Sequence, residues 1–298
     1  MDVRACPVCN SSATTVCYLQ FDNPWWRCAD CGLRFREPRE VVAYESGCCA
    51  AQASFYYGAD FVSAYRRAWG EFLPYVKHGR FLEVGFGHGG YLAAARELGF
   101  DVLGLDTSPR NVEEVAGRFA LPVRQATLEQ AALPETSFDT AMMSHVIEHL
   151  PDPVGTLVEL ARVLTKEGTL LLVTPNAGCY LERLLGHRWP MYRPPDHIRL
   201  FTPDSLRLAV KRAGFRVTRL WTTDSPADFP LGLASALRGA TGIPGTTELL
   251  AQASPTAVPA WRRLAYKTLP LVGYPFLLTR YLGIASCLKC VATKAVGG

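Results

Sequence analysis

At 298 residues the chain can hold one large domain, or one ordinary domain with an appendage. Its 49% hydrophobic content excludes an intrinsically disordered chain. A net charge of +4 is too small to imply a nucleic-acid binder by itself. From Pro203 onward, however, 12 Lys/Arg stand against 4 Asp/Glu, a basic tilt that suits an anionic small molecule or a membrane surface. The opening "MDVRACPVCN" has no apolar core, so no signal peptide is expected. The longest apolar stretch, "TLPLVGYPFLLTRYLGIASCL", carries two prolines and Arg280 and makes a poor spanning helix. The expected location is cytoplasmic, where ten cysteines do not suggest a disulfide framework. An interfacial membrane contact and an apolar homodimer contact both remain open for the greasy stretch.

Four cysteines form the first motif. Cys6-Pro-Val-Cys9 and Cys28-Ala-Asp-Cys31 are two C-x-x-C knuckles, and together they offer four thiolates to a tetrahedral zinc ion. Four protein ligands leave no open position, so the zinc is expected to be structural. The pair Cys287 and Cys290 has the same spacing but lies in the strand-like run "SCLKCVAT". There it would point to opposite faces and pack in the core. The zinc-ribbon segment is expected over 1–39 and a helical linker over 40–79, with helical spacing at Phe61, Tyr65, Ala68, Trp69 and Phe72.

From residue 80 strands and helices alternate. Arg80–Val84 reads as a buried strand, then come a glycine loop and a helix over Tyr91–Leu98 closed by Gly99. Val102–Leu105 is the next strand, with Asp106 at its tip. Ser108-Pro109 then starts a helix that runs to Phe119. "LPVRQAT", "SFDTAMMSHV" and "GTLLLVTP" read as the third, fourth and fifth strands, with a helix over Val154–Leu164 between the last two. "TPDSLRLAVKRAGF" is a capped helix, "FRVTRLW" a sixth strand and "ASCLKCVAT" the last. This is the rhythm of a doubly wound α/β sheet, which binds ligands at the carboxyl ends of its strands. The domain is expected over 80–298, with 222–284 as an insertion that lids the pocket.

Gly85-x-Gly87-x-x-Gly90 matches the dinucleotide fingerprint, and Asp106 lies about twenty residues on, where a ribose-binding acid belongs. An NAD-dependent enzyme is one reading. Glu83, two residues before the first glycine, argues against it, because an acid there repels a pyrophosphate and suits an ammonium. S-adenosylmethionine carries an ammonium, a sulfonium and no phosphate.

The segments "LEVGFGHGGYL", "VLGLDTSP", "LPETSFDTAMMSHVIEHLPDPVGTLVELARVLTKEGTLLLVTPN" and "DHIRLFTPDSLRLAVKRAGF" resemble class I S-adenosylmethionine-dependent methyltransferases. The nearest branch contains the ubiquinone-pathway O-methyltransferases and small-molecule methyltransferases of bacterial-type biosynthesis. The cysteine-rich segment is similar to one fused to some of these enzymes, including sugar C-methyltransferases. The resemblance implies a Rossmann-like, mostly parallel seven-stranded sheet. It also implies that Glu83, Gly85 and Gly87 hold the methionine end and that Asp106 accepts from the ribose hydroxyls. Thr107 would lie on the adenine, Thr127 and Leu128 would flank it, and Ser144 would sit beside the methyl group. At Thr127 relatives commonly carry an acid or amide.

Methyl transfer from a sulfonium needs positioning, plus a base where the nucleophile starts protonated. His197, His149 and His145 are the candidate bases, with His197 first, since it precedes a capped helix where the family places an active-site histidine. "HVIEHLPDP" corresponds to a divalent-metal site in some relatives, although those tend to carry an acid where His145 stands. Tyr192 and Arg193 could contact an anion. The expected reaction is O-methylation of a small molecule. The alternatives are C-methylation of a nucleotide-linked sugar, an RNA methyltransferase whose Trp25, Trp26 and Arg27 stack on bases, and the NAD enzyme. Nucleic acid is not the favoured partner, because the cysteine-rich segment is not strongly basic.

Overall fold

The computed structural model describes residues 4–20, 23–38, 61–192, 197–224 and 274–295. Cys48 and Cys49, Arg193, the linker before Phe61 and most of the expected insertion lie outside the described residues.

Seven strands form the central sheet. In chain order they are β4 (Arg80–Val84), β5 (Asp101–Asp106), β6 (Val123–Gln125), β7 (Phe138–Ser144), β8 (Leu164–Pro175), β10 (Phe215–Thr223) and β11 (Cys287–Lys294). Their spatial order is β10-β11-β8-β7-β4-β5-β6. The strands β6, β5, β4, β7 and β8 run parallel, while β11 pairs antiparallel with both β8 and β10. The sheet is therefore mostly parallel, as expected. Its middle strands are apolar because helices cover both faces: Phe81, Leu82, Ala141, Met142, Leu171 and Leu172 are fully buried. Cys290 packs into the core on one face, and Cys287 lies against the core on the other, as its strand period requires.

The helices begin where their caps put them. They are α1 (Phe61–Trp69), α2 (Gly90–Glu97), α3 (Pro109–Phe119), α4 (Pro153–Val163), α5 (Tyr180–Leu185) and α6 (Pro203–Arg212). Ser108 Oγ accepts from Asn111 N, Asp152 accepts from Gly155 N, and Thr202 with Ser205 forms a capping box, each followed by proline at the first turn. The largest boundary difference is at β8. It starts at Leu164, directly after α4 and four residues before the expected Gly168, so no loop separates helix from strand.

A second, four-stranded sheet carries the cysteines: β1 (Thr14–Gln20), β2 (Asn23–Cys28), β3 (Arg34–Phe35) and β9 (Arg199–Leu200). Its fourth strand comes from the far end of the chain, antiparallel to β3. Helix α6 ties the same unit down at both its ends. Thr202 Oγ1 donates to Cys31 O at 3.2 Å, and Arg212 Nη1 donates to Val8 O at 2.6 Å. Trp25 and Trp26 are buried in this junction, Trp25 edge-on to Tyr192 and under the Arg36 guanidinium. They are packing residues, which removes the stacking platform that the RNA reading needs. No helix among the described residues is long and apolar enough to cross a membrane.

Candidate active site

The glycine loop follows β4. Glu83, near the strand's end, is 2% exposed, and its Oε2 has no hydrogen-bond partner. Burial, joined by the charge of Asp106, pushes its carboxyl well above the usual carboxylate range. Gly85 and Gly87 both have positive φ, at 71° and 52°. A Cβ at Gly85 would lie 2.4 Å from the Val146 side chain, so only glycine fits there. A Cβ at Gly87 would meet nothing within 4 Å, so the loop is open on that side.

Asp106 ends the neighbouring strand and binds the loop. Its Oδ2 accepts from Gly87 N at 2.8 Å, while Oδ1 accepts from Ser108 N at 2.9 Å and from Asn111 Nδ2 at 3.2 Å. Burial raises its pKa, against the pull of those donors. Thr107 is exposed beside it. Thr127 opens a turn after β6 in which Thr127 Oγ1 accepts from Gln130 N and Gln130 Oε1 accepts from Thr127 N. Its hydroxyl is thus already engaged as a cap. Leu128 is buried in the core next to that turn.

The second cluster follows β7, which is hydrogen-bonded to β4. Ser144 ends the strand half-buried, and His145 then takes a positive φ of 56°, unusual for a side chain of its size. Its Nδ1 meets Glu148 Oε1 at 3.2 Å, and Glu148 Oε2 accepts from Thr174 Oγ1 at 3.0 Å. Glu148 is fully buried, and burial alone would raise its pKa. The hydrogen bond and charge of His145, with His149 and His197 nearby, outweigh that and hold the carboxyl down at about 2.

His197 comes from the segment before β9, yet its ring centroid is 4.9 Å from that of His149. One ligand atom from each of Glu148, His149 and His197 falls within a 4.8 Å spread. His197 Nδ1 lies 2.9 Å from Met191 O, and a carbonyl can only accept, so Nδ1 carries the proton and Nε2 presents its lone pair. The His197 carbonyl accepts from Arg36 Nε at 2.8 Å, and Ile198 N donates to Glu148 O at 2.9 Å. The strand-bearing end of the cysteine unit therefore grips the histidine's backbone. Arg199 Nη1 returns the contact to Arg36 O. Arg36, Thr174 and Arg199 had no local sequence signal; a buried arginine looks like a surface one until its partners are known. Tyr192 is not free for an anion, because its hydroxyl donates to Glu182 Oε1.

The four sulfurs of Cys6, Cys9, Cys28 and Cys31 also lie within 4.8 Å of one another, with Cys6–Cys31 at 3.5 Å and Cys9–Cys28 at 3.4 Å. A tetrahedral zinc–thiolate site, with sulfur about 2.3 Å from the metal, has sulfur–sulfur edges of about 3.8 Å. The donor set and its geometry fit zinc. Burial raises the Cys9 thiol to about 11, while the Cys31 hydrogen bond lowers Cys6 to about 5. Thiols so close cannot all ionise without a cation among them.

A family model described as a methyltransferase domain matches residues 60–220. The ubiquinone biosynthesis O-methyltransferase of Cereibacter sphaeroides (strain KD131 / KCTC 12085) is 29% identical over 147 residues, 45% of this chain and 59% of that one. The chain thus spans about three-fifths of the length of that relative. The enzyme of the same name from Paracidovorax citrulli is 26% identical over 195 residues, covering 61% of this chain and 81% of its own. Among solved structures, an S-adenosylmethionine-dependent methyltransferase from Archaeoglobus fulgidus superposes with a TM-score of 0.53 at 19% identity, covering 82% of this chain and 98% of that one. That likeness concerns the fold.

Proposed function

Because the chain belongs to the methyltransferase-domain family over residues 60–220, we propose that it binds S-adenosylmethionine at the glycine loop and methylates a small-molecule acceptor, oxygen being the favoured nucleophile. The observation that carries this reading is Glu83, a buried carboxyl with an unpartnered oxygen beside the open Gly87. Such a place suits a ligand with a cationic amine and disfavours the pyrophosphate of NAD. The names of the Cereibacter and Paracidovorax relatives support oxygen as the acceptor atom.

The bound cofactor would supply a methyl group on a sulfonium sulfur, an electrophile that leaves the protein the tasks of positioning and proton removal. Glu83 holds the amine end against the loop of Gly85 and Gly87. Asp106 keeps its loop donors and still has lone pairs for ribose hydroxyls. Thr107, Thr127 and Leu128 border the adenine, and Ser144 borders the methyl end. His197 takes the acceptor's proton on Nε2, the nitrogen that its contact with Met191 O leaves unprotonated. His149 stands beside it as the second candidate. Glu148 orients His145 through one oxygen and accepts from Thr174 through the other. Zinc at Cys6, Cys9, Cys28 and Cys31 holds the cysteine unit, and through Arg36 it holds His197.

Calorimetry tests the donor assignment. S-adenosylhomocysteine should bind and NAD should not, and Asp106→Ala should weaken the product by about 1.5–3 kcal/mol, the range for a lost charged hydrogen-bond acceptor. Unchanged affinity in that variant overturns it.

A further inference from the structure

The seam between the cysteine-bearing sheet and α5 holds two adjoining cavities, of about 550 and 290 Å³, that play no part in the reading above. Both are walled by Arg27, Arg34, Glu182 and Arg183. Arg34 and Glu182 neutralise each other: Arg34 Nε and Nη2 reach the two carboxylate oxygens at 3.0 and 3.1 Å. Arg27 and Arg183 are exposed and make no ion pair among the described residues. Two guanidiniums thus share one groove with no acid left over where the cavities meet. Asp30 and Asp204 line only the larger cavity; both are exposed, and Asp204 sits in the first turn of α6, where the helix dipole offsets its charge.

A second observation comes from Asn176, on the wall of the larger cavity just past β8. It is 1% exposed, and its Nδ2 donates to Ala285 O at 2.7 Å, but its Oδ1 has no partner. A buried amide oxygen without a donor is costly and calls for a hydroxyl or an N–H.

We propose that this seam binds a phosphorylated, hydroxyl-rich small molecule. The phosphate lies between Arg27 and Arg183, and a hydroxyl donates to Asn176 Oδ1. The planar fork of arginine matches phosphate oxygens in pairs, and the two volumes suit a ligand of metabolite size. Asn176 stands two positions beyond Thr174, the β8 residue that bonds Glu148. In this proposal the seam ligand also serves as the methyl acceptor. That last role rests on the methyl-transfer reading; binding in the seam does not.

The test is calorimetric titration of the full chain at low ionic strength with glucose 1-phosphate, inorganic phosphate and glucose, with S-adenosylhomocysteine titrated in parallel. Glucose 1-phosphate should bind, phosphate should bind more weakly, and glucose should not bind. The double variant Arg27→Gln/Arg183→Gln, at exposed positions, should lose at least tenfold in glucose 1-phosphate affinity with its melting temperature and S-adenosylhomocysteine affinity unchanged. Asn176→Ala should weaken glucose 1-phosphate and leave inorganic phosphate as it was. Equal binding by wild type and the double arginine variant, or no phosphate binding by a wild type that still takes up S-adenosylhomocysteine, overturns the proposal. Phosphate binding that follows the arginines in a protein that ignores S-adenosylhomocysteine would keep the seam and discard the methyl donor.

Discussion

Two buried acids, Glu83 near the end of β4 and Glu148 in the turn after the neighbouring β7, face opposite fates. Glu83, in the glycine-loop half, has an orphaned oxygen, and burial with the charge of Asp106 outweighs the Leu92 backbone hydrogen bond and pushes its carboxyl up. Glu148, in the histidine half, is just as buried, but His145 and Thr174 take its two oxygens and its carboxyl is held at about 2. Burial is common to both; the partners differ. In the proposed function the acid left without a cation is kept for a ligand, and the acid that the fold satisfies is scaffolding. The two halves should therefore respond differently to the same kind of change.

The largest effect belongs to the histidine half. His197→Ala should lower kcat by about 10²–10⁴, the range for a positioned base, with S-adenosylhomocysteine affinity unchanged. The variant should also lose the pH limb that a titrating imidazole gives. Full activity in a folded variant would move the base to His149. Next in size is Glu83→Gln, which should weaken S-adenosylhomocysteine about tenfold or more, as expected for losing a charged partner. The same variant should melt at a higher temperature when ligand-free at neutral pH. A folded-state pKa raised above the unfolded one makes ionisation a cost, which appears as pH rises through the unfolded value and which glutamine removes. A lower ligand-free melting temperature would contradict the idea that this acid is reserved for a ligand.

Glu148→Gln should do the reverse. Its folded pKa of about 2 lies below the unfolded carboxylate value of about 4.3, so its contribution is present above that value and is lost as pH falls to about 2. The variant should melt earlier than wild type at pH 7, and the gap should close across that acid window in thermal melts. The smallest effect concerns zinc, expected at one per chain by elemental analysis. Its removal should shift S-adenosylhomocysteine affinity by less than about twofold, because the glycine loop is held by β4 and β5. It should lower kcat, because Arg36 no longer grips His197. A chelated protein with undiminished kcat would separate the cysteine unit from the site.

The glycine-loop half was legible because its parts are close in the chain. Glu83, the glycines, Asp106 and the Ser108 cap lie within one strand–loop–helix–strand–cap run, and each carries a local signature: an apolar strand, positive-φ glycines, a cap followed by proline. The histidine half was legible only as a list. His145, Glu148 and His149 share a turn, but nothing in "DHIRLFTP" shows that His197 comes beside His149, or that Met191 O selects its tautomer. The adenine side stood between these cases, since "QATLEQ" marks a loop without showing that the Thr127 hydroxyl already caps its own turn.

By itself, the sequence determined the alternation of strands and helices, their capped starts, the glycine loop with its acids and the two C-x-x-C knuckles, because each depends on backbone sterics and hydrogen bonds spanning a few residues. Only the tertiary structure decided that β9 completes the cysteine-bearing sheet, that Arg36 and Arg199 lock the ribbon to the His197 segment, and that Thr174 satisfies Glu148. Those contacts join residues tens to more than a hundred positions apart. Their partners are chosen by which surfaces meet when the two sheets pack, and no local pattern of residues encodes that meeting.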